Sequence, residues 1–293
     1  MKSGQIILPK SSRWGVFILS FVVMFIFTGI ISGLFSSIGL SERIRVLSVS
    51  VIQGLLAFVF PTLLTWILTS SEPAVSIGLR EQVSGRLWLW IISLYIIAYP
   101  ALCQTVFWNE HMSLPDSMEG LEATWRKWEE AGAKTTDEIL SVSSIGAMIV
   151  NVLIVGLFTG FAEEMFFRAG FQKLMIQSGM HPGIAIWIAA LIFSAVHMQF
   201  FGFVPRLLLG AMFGYVYYRT GSIWASALLH GINNTIVVVT TWLAALGIIS
   251  ENVDDVFIIA SGFPWIFVAS SAITIIFLIY TAKPVSFFFK RNS

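Results

Sequence analysis

Hydrophobic residues along this chain fall into runs of about twenty, and short polar stretches separate the runs. A helix of about twenty apolar residues crosses a hydrocarbon core roughly 30 Å thick. The pattern therefore predicts an all-α, polytopic membrane protein with about eight transmembrane helices. The predicted spans are residues 14–34, 46–69, 87–107, 145 into the helix that carries Phe161, 183–201, 203–218, 223–249 and 257–281.

Composition supports the same fold class. Of the 293 residues, 57% are hydrophobic and 11% are charged, against about a quarter charged in a soluble domain. This excludes a large separate soluble domain, so residues 1–293 are predicted to form one transmembrane domain in contact with membrane lipids. The net charge is +1 and the basic residues are scattered among loops, which argues against nucleic acid as a partner. The single cysteine, Cys103, excludes an internal disulfide and a cysteine-based metal cage.

The distribution of basic residues predicts the orientation. The first hydrophobic run is longer than a signal-peptide core and follows three basic residues, so it is interpreted as a retained anchor. With the N-terminus inside, the inner loops receive Lys2, Lys10, Arg13, Arg80, Arg86, Arg168, Lys173, Arg219, Lys283, Lys290 and Arg291. The outer loops receive Arg43, Arg45, Arg126, Lys127, Lys134 and Arg206. The positive-inside rule then predicts both termini in the cytoplasm and the protein in the cytoplasmic membrane.

Residues 109–144 form the one long connection, which is acidic and lies on the outer side in this orientation. Met118, Leu121, Trp125 and Trp128 recur within it at helical spacing. A helix with one tryptophan-rich apolar face is typical of the membrane surface. We predict an interfacial helix here, as a solvated cap over the bundle or, alternatively, as a substrate-binding lid.

The informative residues are polar ones at membrane depth, because a charge there costs at least about 2.5 to 3.5 kcal/mol. The fourth hydrophobic helix carries the adjacent carboxylates Glu163 and Glu164, followed by Arg168. Adjacent helical residues point about 100° apart, whereas residues four apart share a face. We therefore predict that Arg168 pairs with Glu164 and that Glu163 remains free to act as a general base.

Two further helices contribute polar residues. Phe193 and His197 lie on the fifth predicted span, and His230 and Asn234 lie four residues apart on the seventh. With Glu163, the two imidazoles and the amide could activate a water molecule and stabilise an oxyanion. We predict that Glu163, His197, His230 and Asn234 line one polar cavity that opens toward the cytoplasmic half of the membrane. Straight-helix counting places His197 too far from His230, so this arrangement requires a kink or a tilt.

These motifs resemble the CPBP family of intramembrane proteases, which includes type II CAAX prenyl proteases and bacteriocin-processing, Abi-like enzymes. The resemblance covers residues 161–234 and rests on Glu163-Glu164-x-x-x-Arg168, Phe193-x-x-x-His197 and His230-x-x-x-Asn234. It implies an eight-helix endopeptidase. Eukaryotic members cleave near the C-terminus of prenylated CAAX proteins, and bacterial members process peptides or confer tolerance to them. The substrate would be a peptide or protein that is membrane-embedded or lipidated, and the motif-bearing core would span about residues 145–249.

The resemblance also implies roles for single residues. Glu163 would activate the water with His197 as its partner, and His230 and Asn234 would stabilise the oxyanion. Glu164, Arg168 and Phe193 would support them. Some members have been called metalloproteases, and Glu163, His197 and His230 are the only candidate zinc ligands in the motifs. The chain lacks His-Glu-x-x-His, so a site without any cofactor is favoured and zinc is the alternative.

Other classes of membrane protein fit less well. A rhomboid-like protease needs Gly-x-Ser-Gly, which is absent, and a presenilin-like protease needs membrane aspartates, whereas every Asp here falls in a loop. A non-catalytic scaffold or immunity protein remains the main alternative. A proton-coupled transporter that uses Glu163 and His197 as a relay is less favoured, because no paired repeat is visible. Arg206 and Arg219, at span ends, are interpreted as snorkelling residues, and Asn233 as an interhelical hydrogen-bond partner.

Overall fold

A computed structural model describes residues 7–249 and 264–281 and is helical throughout, with no strand in these ranges. The all-α, polytopic fold predicted from hydropathy is therefore confirmed. The helices are α1 (Lys10–Ser36), α2 (Glu42–Thr69), α3 (Pro73–Ile77), α4 (Gly85–Glu110), α5 (Glu119–Leu140), α6 (Ile145–Gln177), α7 (Pro182–Ala195), α8 (Phe203–Thr220), α9 (Ile223–Ala245) and α10 (Pro264–Thr281).

Within the described ranges, six helices are long and apolar enough to cross a membrane, and they are α1, α2, α4, α6, α8 with its leading turn, and α9. The apolar helices α7 and α10 are shorter, so the predicted count of eight is approximate. The chain is an integral membrane protein. Several residues used in the sequence analysis lie outside the described ranges, namely Lys2, Asp254, Asp255, residues 257–263, Lys283, Lys290 and Arg291.

The fifth predicted span, residues 183–201, is wrong at its C-terminal end. Helix α7 ends at Ala195, and its fourteen residues give a length of about 21 Å. His197 therefore lies in the turn that follows α7. Its ring Nδ1 donates a hydrogen bond to the Phe193 carbonyl oxygen at 2.7 Å, and Met198 has a left-handed backbone with φ of 55°. This early helix end replaces the kink that the sequence analysis required.

Helix α6 runs through the bundle and carries the glutamate pair. It contains two π-helical stretches, Val152–Phe158 and Met165–Gln172, on either side of the glutamates. Such turns change which face a helix presents and occur often at functional sites. On α6, a Cβ added to Gly160 would lie 3.1 Å from the backbone nitrogen of Gly231 on α9. A side chain at position 160 would therefore push the two backbones apart, and the contact at Gly160 brings α9 against the glutamates.

Helix α5 packs on the loop between α7 and α8. Its Trp125 stacks on Phe200 with ring centroids 4.2 Å apart, and the Arg126 guanidinium lies 4.1 Å from the ring centroid of Phe201. At the C-terminal end of α5, Ile139 and Leu140 are buried against apolar residues of α2 and α9. The connection at residues 109–144 is thus packed against the helix bundle and against the loop that contains His197.

Candidate active site

Glu164 is a fully buried carboxylate with two partners. Its Oε2 accepts a hydrogen bond from Arg168 Nε at 2.9 Å, and its Oε1 lies 3.1 Å from His230 Nδ1. Both side chains of the Glu164–Arg168 pair are 0% exposed. The first contact follows from the four-residue spacing on α6. The second depends on the close approach of α9, which no local pattern reveals.

His230 lies between the two adjacent glutamates. Its Nδ1 faces Glu164, and its Nε2 is 3.6 Å from Glu163 Oε2. The ring stacks on Phe213 with centroids 4.6 Å apart and meets the edge of Phe193. These contacts fix the imidazole plane, so the Nδ1–H bond to Glu164 directs Nε2 toward Glu163.

His197 occupies a different position from the one that its predicted partnership with Glu163 implies. Its Nδ1–H is donated to the Phe193 carbonyl oxygen, and the neutral ring then carries a lone pair on Nε2. No hydrogen bond joins His197 to Glu163 within residues 7–249 and 264–281; the imidazole nearest to Glu163 is that of His230. The motif spacing predicted His197 in that place.

Helix α9 carries two adjacent side-chain amides: Asn234 makes a long hydrogen bond to α6, and Asn233 makes one to α4. Asn234 Nδ2 donates to the Val155 carbonyl oxygen at 3.4 Å, near the limit for a hydrogen bond. Asn233 Oδ1 accepts a hydrogen bond from the Tyr95 hydroxyl on α4 at 3.1 Å. Asn233 is thus an interhelical partner, and the amide of Asn234 has hydrogen-bonding capacity left for a ligand.

All four predicted site residues line one cavity of about 340 Å³, which we call the chamber. Glu163, His197, His230 and Asn234 come from α6, the loop after α7, and α9. Other residues that border it are Thr136, Leu140, Val155, Thr159, Phe193, Arg206, Leu209, Phe213, Asn233, Val237 and Val238. Because Thr136 and Leu140 belong to α5, the predicted opening toward the cytoplasmic half depends on the side of the membrane on which α5 lies.

A second cavity of about 780 Å³, which we call the apolar groove, adjoins the chamber. Its walls carry Phe17, Phe21, Phe25, Phe58, Phe166, Phe167 and Phe171, from α1, α2 and α6. Glu163 and His197 line both cavities. The carboxylate and the imidazole therefore lie where an apolar space meets a polar one.

The predicted zinc ligands Glu163, His197 and His230 are not grouped as a metal site among the described residues. Zinc in a hydrolase needs three protein ligands and one open position. Within the described part of the chain, no three His, Cys, Asp or Glu residues are placed to hold a metal ion. The Nδ1 atoms of His197 and His230 are engaged by the Phe193 carbonyl and by Glu164, which leaves Nε2 of each ring as the nitrogen open to a ligand.

Arg206 was interpreted from sequence as a snorkelling residue, and the structure corrects this. Its side chain lines the chamber and is half-buried. Its position after Pro205 at a helix start gives no sign of this direction. The fold of the preceding loop, residues 196–202, and its packing on α5 determine it.

Residues 145–236 match the family model described as "Type II CAAX prenyl endopeptidase Rce1-like". The matched segment contains every motif residue from Glu163 to Asn234, and the family resemblance stated from those motifs is confirmed. It covers about a third of the chain. No curated protein and no solved structure matches the chain. The match points to a protease.

Proposed function

We propose that this protein is an intramembrane endopeptidase of the CAAX-protease type. The observation that carries the proposal is the convergence of Glu163, His197, His230 and Asn234 on one chamber within the helix bundle. A carboxylate, two imidazoles and an amide supply the groups that peptide hydrolysis by water requires. The match of residues 145–236 to a prenyl endopeptidase model supports the same reaction class.

In the proposed reaction, the Glu163 carboxylate takes a proton from a water molecule, whose oxygen attacks the scissile carbonyl carbon. The resulting oxyanion is stabilised by the Asn234 amide and by His230. The C–N bond then breaks, and Glu163 returns the proton to the leaving amine. His230 Nε2 lies 3.6 Å from Glu163 Oε2, so the two proposed groups border the same point of the chamber. His197 is proposed as the second imidazole that orients the water.

The substrate is proposed to be a peptide or protein with a lipidated or membrane-embedded segment. The apolar groove supports this, because seven phenylalanines line it and it reaches Glu163. An apolar chain in the groove would place the adjacent peptide bond at the chamber. We further propose a reaction without metal, in a protein of the cytoplasmic membrane with both termini inside.

The test uses the full chain in lipid nanodiscs. The probe is a quenched fluorescent peptide with a farnesylated cysteine followed by three residues and a free carboxylate, and mass spectrometry identifies the products. The wild type is compared with Glu163→Gln and with the control Glu130→Gln, which changes an exposed glutamate on α5. We expect cleavage by the wild type and the control and none by Glu163→Gln.

A second arm removes the dependence on one peptide. Membrane proteins from cells that express the wild type or Glu163→Gln are compared for new chain ends. If neither arm shows cleavage that depends on Glu163, the endopeptidase proposal is wrong and the scaffold or immunity alternative is favoured.

A further inference from the structure

We propose that Arg206 forms a carboxylate-binding subsite of the chamber and receives the free C-terminus of the substrate. This inference rests on the proposed endopeptidase function. Arg206 lies in the first turn of α8 and borders the same cavity as Glu163 and His230. It is therefore available to a molecule that occupies the chamber.

The guanidinium is fixed but its donors are only partly used. Nη1 donates to Gln199 Oε1 at 2.5 Å, and Nη2 donates to the Gln199 carbonyl oxygen at 2.6 Å. A guanidinium has five N–H groups. Nε is buried and has no hydrogen-bond partner, and each terminal nitrogen keeps one more N–H. One N–H on each terminal nitrogen thus remains for a ligand, whereas Nε is enclosed and becomes available only if the side chain shifts.

The positive charge of Arg206 is not neutralised by contact. Among the described residues, no carboxylate lies within 4.0 Å of this guanidinium. Glu129 interacts with it electrostatically at longer range, and one carboxylate oxygen of Glu129 accepts the backbone N–H of Phe201. An anion entering the chamber would therefore find a cation that is already desolvated in part.

Two glycines leave space for the Arg206 side chain and for its partner Gln199 at the wall of the chamber. A Cβ at Gly202 would lie 2.6 Å from Arg206 Nη2, and a Cβ at Gly132 would lie 2.5 Å from Gln199 Nε2. A side chain at either position would therefore displace the Gln199 or Arg206 end group from the arrangement observed here. A snorkelling arginine extends toward water and needs no such space. The pairing favours a role within the chamber.

The chemistry of the subsite favours a carboxylate. The planar guanidinium matches a carboxylate with two parallel hydrogen bonds. The chamber, at about 340 Å³, is at the lower end of the range for ligand pockets, so it admits a short peptide end rather than a continuing chain. Three extended residues span about 10 Å. The carboxylate of a short leaving peptide would then lie at the chamber wall, away from the scissile bond.

The experiment compares three farnesylated peptides that differ only at the end. One has a free C-terminal carboxylate, one has a C-terminal amide, and one has the amide with Asp as its last residue. Binding is measured by fluorescence anisotropy on the inactive Glu163→Gln chain, and kcat/KM is measured on the wild type. A charge-assisted hydrogen bond supports a preference for the acid over the amide of about tenfold to a hundredfold.

In Arg206→Gln, the affinity and kcat/KM for the acid peptide should fall to the values of the amide peptide, mainly through a higher KM. The values for the amide peptide should not change. Arg206→Lys should retain part of the preference, because it keeps the charge and loses the paired geometry. Lys127→Gln, at an exposed residue of α5, should retain all of it. Tight binding of the Asp peptide, with dependence on Arg206, would identify a side-chain carboxylate as the ligand instead of the chain end.

Two results would overturn the inference. One is equal binding of the acid and the amide to the Glu163→Gln chain. The other is an Arg206→Gln variant that weakens both peptides alike, which would indicate a structural role. Because the binding arm uses inactive protein, it stands even if no peptide is cleaved. Failure of cleavage alone would count against the endopeptidase proposal and not against the subsite.

Discussion

The adjacent glutamates provide the sharpest test of the structure, because one is buried in an ion pair and the other lines a cavity. Glu164→Ala removes the only carboxylate in contact with Arg168 among the described residues, and both side chains are 0% exposed. The same change takes the hydrogen-bond partner from His230 Nδ1. Glu163→Ala removes a side chain that is 13% exposed and whose one ion-pair contact with a described residue, His230, is at 3.6 Å.

Breaking a buried ion pair by removing one partner costs about 3 to 5 kcal/mol, because the remaining charge is left without compensation. Two terminal nitrogens of Arg168 already lack hydrogen-bond partners, so little else can stabilise its charge. We therefore expect Glu164→Ala to lower the free energy of unfolding by about 3 to 5 kcal/mol. The folded-to-unfolded ratio would fall by roughly two to three and a half orders of magnitude. For Glu163→Ala we expect a change of less than about 1 kcal/mol.

The assay is unfolding by a denaturing detergent, followed by tryptophan fluorescence, in parallel with the yield of monodisperse protein. The double variant Glu164→Ala/Arg168→Met removes both charges and should recover much of the lost stability. Activity alone cannot separate the two glutamates, since Glu164→Ala also releases His230. A stable Glu164→Ala chain beside an unfolded Glu163→Ala chain would show that the two roles have been assigned the wrong way round. A double variant no more stable than Glu164→Ala would refute the buried-charge argument.

Three further outcomes are expected. Asn234→Ala should lower kcat by about 10²- to 10³-fold with little change in KM, as for loss of an oxyanion donor; an unchanged kcat would remove Asn234 from the mechanism. Activity should survive dialysis against a chelator, with well under one zinc per chain by metal analysis; stoichiometric zinc, with activity lost on chelation and restored by zinc, would overturn the metal-free proposal. On α5, hydrogen bonds from the Leu114 amide and Arg126 lower the pKa of Glu122. The ionised carboxylate therefore stabilises the fold at pH values above the ordinary glutamate pKa of about 4.3. This stabilisation is lost as the pH falls through the lowered pKa. The higher melting temperature of the wild type relative to Glu122→Gln should therefore vanish in acid, and a difference that persists there would contradict the assignment.

Sequence reasoning succeeded where the physics is local. Charged residues at membrane depth are rare because they are costly, so the few that occur stand out. The pairing of Glu164 with Arg168 follows from four-residue spacing on one helix and is present at 2.9 Å. Hydropathy predicted the fold class because it also depends on local physics: a membrane-spanning helix makes all of its backbone hydrogen bonds within one segment of the chain.

Sequence reasoning was wrong where the outcome depends on contacts distant in the chain. The span to residue 201 was too long, because the hydrogen bond of His197 to the Phe193 carbonyl lies at an early helix end that apolar residues do not reveal. The nearest imidazole to Glu163 is that of His230, because Gly160 lets α9 approach α6. No periodicity contains that information.

Arg206 shows how a general rule can mislead at one residue. A basic residue at the end of an apolar run usually extends to the interface. Here Gln199 accepts two hydrogen bonds from it, and the glycines at 132 and 202 leave room for this pairing. The inward direction is thus set by a loop and by α5, neither of which carries a recognisable motif.

The adjacency of the two glutamates acquires a physical reason once His230 is placed. Neighbouring helical residues diverge by about 100°, so two carboxylates at positions 163 and 164 cannot bind one small group in the same way. An imidazole has two nitrogens on different sides of its ring, and here Nδ1 contacts Glu164 while Nε2 faces Glu163. Arg168 fixes Glu164, Glu164 fixes the ring, and the ring directs Nε2 toward the proposed base. An amide side chain carries both of its N–H donors on one nitrogen and cannot present them from different sides as the imidazole does. The glutamate pair and the histidine therefore act as one unit that is divided between two helices.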